Sequence, residues 1–140
     1  MNKIGFTLDK INTEQFAIIE SSFDDSNEEF GLEASLKFGV NSENKAVISF
    51  VKFQFEKNDT PFLIIEASCE FTIDEKFWNN FSEKETIIIP KGFLSHLAMI
   101  ATGTTRGILH SKTENTKFNE FLLPTINIAE MINEDGEFEK

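Results

Sequence analysis

Between Gln15 and Ile73 the chain alternates apolar and polar positions with the period of a β-strand. The alternation is plainest in "FLIIEASCEFTI". There Leu63, Ile65, Ala67, Cys69, Phe71 and Ile73 share one face, and Phe62, Ile64, Glu66, Ser68, Glu70 and Thr72 the other. The run 46–57 puts Val47, Val51, Phe53 and Phe55 on one side and Lys52, Gln54 and Glu56 on the other. "NSENK" and "KNDTP" are polar turn clusters of hairpin length, so strands at 33–40, 46–57 and 62–73 are expected to form an antiparallel meander. A fourth strand at 15–23 precedes the acidic loop "DDSNEEFG".

The period then becomes helical. Pro90 opens a helix in which Phe93, Leu97, Ile100, Ala101 and Thr104 recur at helical spacing; Gly107 supplies a stop, and Arg106 faces the negative helix end. Gly92 and Gly103 each cost about 1 kcal/mol relative to Ala inside a helix, which marks a place of close approach. They lie about three turns apart near one face, making them the candidate oligomer interface. Asn127 reads as the cap of a short second helix, with Glu130 closing a capping box and Ile126 stapled to Met131. The acidic end 133–140 is expected to fray, and residues 1–13 to be flexible. The expected fold is therefore α+β, a four-stranded antiparallel sheet followed by one long and one short helix, in a single domain 1–140 with its core at about 15–132.

Length and charge narrow the function. At 140 residues the chain has enough surface to bury for one self-sufficient domain. Cys69 is the only cysteine and no secretory leader follows Met1, so the expected compartment is a reducing cytoplasm. No segment approaches the ~20 apolar residues of a membrane span. A formal charge of −11 repels nucleic acid and anionic lipid, and favours either simple solubility or a basic protein partner.

Catalytic chemistry is sparse. His96 and His110, with one cysteine, match no zinc spacing, and Cys69 alternates with core residues. "GTTRG" lacks the Lys-Ser/Thr ending of a phosphate loop. No nucleophile–base pair emerges, so the expectation is a non-enzyme with no metal or other cofactor.

What stands out is the aromatic content: sixteen Phe, one Trp and no Tyr. Phe53, Phe55 and Phe71 fall on core faces. Phe77, Trp78 and Phe81 sit in a connecting segment, however, and Ile108, Leu109, Phe118, Phe121, Leu123 and Ile126 run along the link between helices. Apolar links either fold down over the core or line an open groove for an extended apolar segment.

The succession "FAIIESSFDD", "LKFGV", "ISFVKFQF", "PFLIIEASCEFTI", "IIIPKGFLSHLAMIATGTTRGIL" and "FLLPTINIAEM" resembles the SecB-like export chaperones over about residues 15–132. The matching marks are Pro90 opening the long helix, Arg106 with Gly107, and "LLPTINI" with Pro124 and Asn127. The resemblance implies an ATP-independent holdase, a homodimer or homotetramer, that binds unfolded or precursor polypeptides in apolar grooves beside the inter-helix loop. For members that serve the SecA motor it also implies docking through an acidic sheet face, which here maps to Glu20, Asp24, Ile64 and Glu66. A dedicated adaptor on the same fold, serving one partner such as an antitoxin or a phage or defence protein, is the alternative.

Overall fold

The structure, a computed structural model, describes residues 4–23, 29–121 and 126–140. Four antiparallel strands, β1 (Phe6–Ile18), β2 (Gly31–Asn41), β3 (Ala46–Lys57) and β4 (Thr60–Ile73), form a sheet in the order β1-β4-β3-β2. After it come α1 (Glu75–Phe81), β5 (Thr86–Ile89), the long α2 (Lys91–Thr113), a four-residue α3 (Ile128–Met131) and β6 (Gly136–Glu139). Short 3-10 turns lie at Glu20–Ser22 and Lys117–Glu120. The α+β class and the meander are as the alternation predicts.

Turn chemistry sets the register. Between β3 and β4, Asn58 and Asp59 have φ of 52° and 61°, the left-handed pair that lets two residues close a hairpin with the natural strand twist. The pairing that follows sets Phe53 opposite Ile65, Val51 opposite Ala67 and Val47 opposite Phe71. One face of the central strands thereby becomes continuous and apolar. α2 packs on this face over β3 and β4, burying Leu94, Leu97, Ala98, Ala101, Thr105 and Leu109.

The first strand differs from expectation. It occupies Phe6–Ile18 rather than 15–23, and Glu20–Ser22 is a turn. The reason is a broken period: the register with β4 slips between Leu8 and Lys10 and again between Thr13 and Gln15. These bulges keep Phe6, Leu8, Ile11, Thr13, Phe16 and Ile18 opposite the helix-facing residues of β4. A strict alternation through the same residues turns Ile11 outward, so the strand is hidden from a period-two reading. Most of the segment expected to be flexible, 1–13, is accordingly strand.

Two helix-end expectations also need correction. Gly107 does not stop α2, because Leu109 and Thr113 carry the buried face onward to Thr113. Buried hydroxyls stay paired within the helix: Thr102, Thr105 and Thr113 Oγ1 donate to the carbonyls of Ala98, Ala101 and Leu109 at 2.7, 2.7 and 2.8 Å. Arg106 is therefore a mid-helix residue. Asn127 does precede α3, but its side chain makes no capping bond. The acidic end, where fraying is expected, carries a strand: Phe138 of β6 pairs with Ile87 of β5 and is half-buried, while Glu137 and Glu139 face out.

The longer helix makes a prediction at Gly107, where an added Cβ meets no atom within 4 Å and φ is not positive. Gly107→Ala should stabilise the fold by about 0.5–1 kcal/mol in urea unfolding, through helix propensity. A loss of stability would restore Gly107 as a left-handed helix stop.

Candidate functional site

The Phe surplus is largely a core. At the C-terminal end of α2, Phe62 stacks against Phe121, Phe23 and Phe118 with ring centroids 5.0, 5.0 and 6.2 Å apart. Phe55 and Phe30 pack on Phe121 at 5.8 and 5.0 Å. Phe118 and Phe121 are 1% and 6% exposed, and Leu109 is 2% exposed. These candidate groove residues have folded down, because the Lys117–Glu120 turn lays both rings over the turn end of the β3–β4 hairpin. Truncating a Phe so placed costs about 3–5 kcal/mol, so substitutions there report stability before they report binding.

The remaining candidates lie at the other end. Trp78 is buried in α1, and Phe81 stacks at 6.1 Å on Phe93 in the first turn of α2. About 30 Å of helix, at 1.5 Å per residue from Phe93 to Thr113, separates that cluster from the Phe118 end. Phe77 and Phe81 are half-buried beside Trp78, whereas Ile108 and Ile126 are half-buried against other parts of the core. Leu123 lies outside the described residues. The sequence-derived set is thus divided between two sites and does not form one groove.

An open apolar trough lies elsewhere, between β2 and the C-terminal segment. Leu36 and Phe38 of β2, Leu94 of α2, Met131 and Ile132 after α3, and Phe138 of β6 line it, with Asn133 and Glu134 at its rim. Met131 is 39% exposed. Alongside runs β2 itself, whose outer edge has no strand partner among the described residues. The alternation in "LEASLKFGV" carries half of this signal, since it sends Leu32, Ala34, Leu36, Phe38 and Val40 to one face. What it could not carry is that β2 is an edge strand and that α2 stops short of it.

The sheet face away from α2 is polar. Glu66 lies between Lys52 of β3 and Gln15 of β1 in the ladder, and Ile64 between Gln54 and Ala17. Ile64 is only 8% exposed, and Glu20 is exposed just beyond the end of β1. Asp24 lies outside the described residues. The intended acidic patch therefore has a lysine within it and little exposed apolar centre.

Chemical groups are few. Burial pushes the Cys69 thiol upward against the smaller opposing effect of its Thr104 hydrogen bond, which suits an inert core residue. Among the described residues, no three His, Cys, Asp or Glu side chains are grouped to hold a metal ion. His96 packs edge-on to Phe6, and His110 pairs with Glu114 at 3.3 Å. Among the described residues, no helix is long and apolar enough to cross a membrane.

No family model and no curated protein matches the chain. Among solved structures it is similar to a SecB-like chaperone of Mycobacterium tuberculosis in complex with a ChAD peptide from the HigA1 antitoxin. The likeness has a TM-score of 0.50 at 8% identity, and covers 87% of this chain and 91% of that one. At that identity it is the fold that is shared: a SecB-like sheet and helix arrangement.

Proposed function

We propose that the protein is a non-enzymatic chaperone or adaptor that holds an extended apolar stretch of another polypeptide along β2. The observation that carries this reading is a strand edge, unpaired among the described residues, running beside an open apolar trough. A bound segment adds its main chain to the edge, and alternate side chains drop toward Leu36, Phe38 and Met131. Main-chain hydrogen bonds are indifferent to sequence. Each side chain fully buried in the trough contributes about 1.5–3 kcal/mol, so selection is for apolar, extended, unfolded chain rather than for one motif. The acidic rim at Glu134 and the net charge of −11 favour segments with basic flanks. Nothing in such binding requires a nucleotide, and the lone buried thiol is compatible with the cytoplasm.

The fold-level neighbour, solved with an antitoxin peptide, gives the adaptor variant of this reading its support. Breadth separates the variants: a holdase takes many clients, an adaptor one. Delivery to SecA is the finer reading, through Glu20, Asp24, Ile64 and Glu66, and assembly through the open helix face at Gly92 and Gly103 belongs with it. Neither glycine has another part of the chain within 4 Å of its Cβ position. Close approach there requires a second molecule.

Purified protein should suppress aggregation of a chemically unfolded client without ATP. Met131→Glu, at an exposed trough position, should reduce that suppression several-fold while leaving the unfolding midpoint nearly unchanged. Absence of suppression by the wild type, or equal suppression by both, would remove the trough as the client site. Titration of SecA separates the export reading: Glu66→Lys should bind much more weakly than wild type at low salt, and equal or absent binding by both proteins leaves the adaptor.

A further inference from the structure

The wall of the trough that faces β2 is held by two adjacent residues, Asp135 and Gly136. α2 begins after Pro90, whose side chain can accept no hydrogen bond, and its first turn carries no acidic residue. The cap comes from 44 residues along the chain, where the Lys91 amide donates to the Asp135 carboxylate at 2.9 Å. Directly afterwards β6 joins β5, with Gly136 opposite Ile89 and Phe138 opposite Ile87, and the Lys140 amide donates to the Glu85 carbonyl at 3.0 Å. The backbone at Gly136 is thus fixed by its strand partner on one side and by the Asp135 tether on the other.

Gly136 also lies flat against the floor. A Cβ built on it would stand 2.6 Å from the Phe138 ring and 2.8 Å from Leu94 Cδ1, closer than side-chain carbons approach in folded proteins. Its backbone is outside the left-handed region, so what the missing side chain provides is close approach. Leu94 and Phe138 both line the trough.

We propose that Asp135 and Gly136 together determine the specificity of the trough, fixing its width and depth and so the size of side chain that a client can lodge in it. The inference rests on the reading of the trough as the client site and concerns which clients that site takes. Asp135 is the positioning residue. Residues 132–135 lie in neither helix nor strand, so the tether to Lys91 sets how far Met131 and Ile132 stand from Leu36 and Phe38 across the opening. Gly136 sets the depth, because Leu94 and the Phe138 ring can lie back against bare backbone there.

The two residues have different signatures. A methyl group at 136 meets the far ends of two side chains rather than backbone, so the side chains yield and the fold survives. Leu94 and Phe138 have the core behind them, and they turn toward the open trough and make it shallower. Loss of the Asp135 carboxylate instead releases the wall, leaving the trough wider and less selective.

The test is a set of extended peptides, identical except for one central Ala, Val, Leu or Phe, with binding read by fluorescence anisotropy. For the wild type, affinity should rise with the size of that residue. Gly136→Ala should weaken the Phe peptide by about tenfold, the scale of a misplaced methylene in an apolar pocket, and leave the Ala and Val peptides nearly unchanged. Asp135→Ala should weaken binding and flatten the dependence on size, whereas Asp135→Asn, whose amide oxygen still accepts from Lys91, should retain it. Adding Lys91→Glu to Asp135→Ala returns negative charge to the start of α2; it should recover the unfolding midpoint without recovering the size dependence. Equal effects of Gly136→Ala on every peptide, or a size dependence recovered together with the midpoint, would overturn the proposal and leave the trough as the client site. A wild type that binds none of the peptides would overturn both.

Discussion

A single α-helix is about 10 Å wide and strands are spaced about 4.8 Å apart, so one helix can seal only the middle of a four-stranded sheet. Much else in this molecule follows from that mismatch. α2 lies over β3 and β4, where Val47, Val51, Phe53, Ile65, Ala67 and Phe71 are 0–1% exposed. The helix-side faces of β1 and β2 are left to other cover. At β2 the short α3 and the β5–β6 hairpin lean in and leave a trough; at β1 Phe6 and Phe16 are covered and the middle is bare.

The aromatic cluster completes the seal lengthwise. Phe118 and Phe121 close the end of the core where α2 runs out, and Phe23, just after the Glu20–Ser22 turn, packs against both. Two lysines lie over its ring, Lys57 at 4.9 Å and Lys117 at 5.0 Å, in an otherwise acidic protein. Such contacts contribute about 0.5–2 kcal/mol each and place charge at the boundary between ring and water. Apolar residues in the inter-helix link are thus spent on the interior, and in the proposed function the surface for a client is the strand edge.

The meander was legible because its signals are local: period two in β3 and β4, and an Asn-Asp pair able to adopt positive φ between them. The start of α2 was legible at Pro90 for the same reason, since proline favours a first-turn position. What was illegible depended on partners distant in sequence. β1 hides behind bulges that make sense only against β4; α2 overruns Gly107 because Leu109 and Thr113 have a core to enter; β6 is a strand only because β5 waits for it. The candidate groove residues are buried or divided for a related reason. Apolar spacing identifies residues that avoid water, and whether they do so by folding inward or by holding a client is decided by the neighbouring layer.

The central claim is the proposal that the β2 edge of this sheet takes an extended polypeptide. Hydrogen exchange resolved by segment tests it directly, because amides on an unpaired edge exchange quickly and gain protection only when paired. Exchange in 31–41 should slow when an unfolded client is added, while exchange in the central strands 46–57 and 60–73 should stay as it is. No response of 31–41 to client would contradict the account.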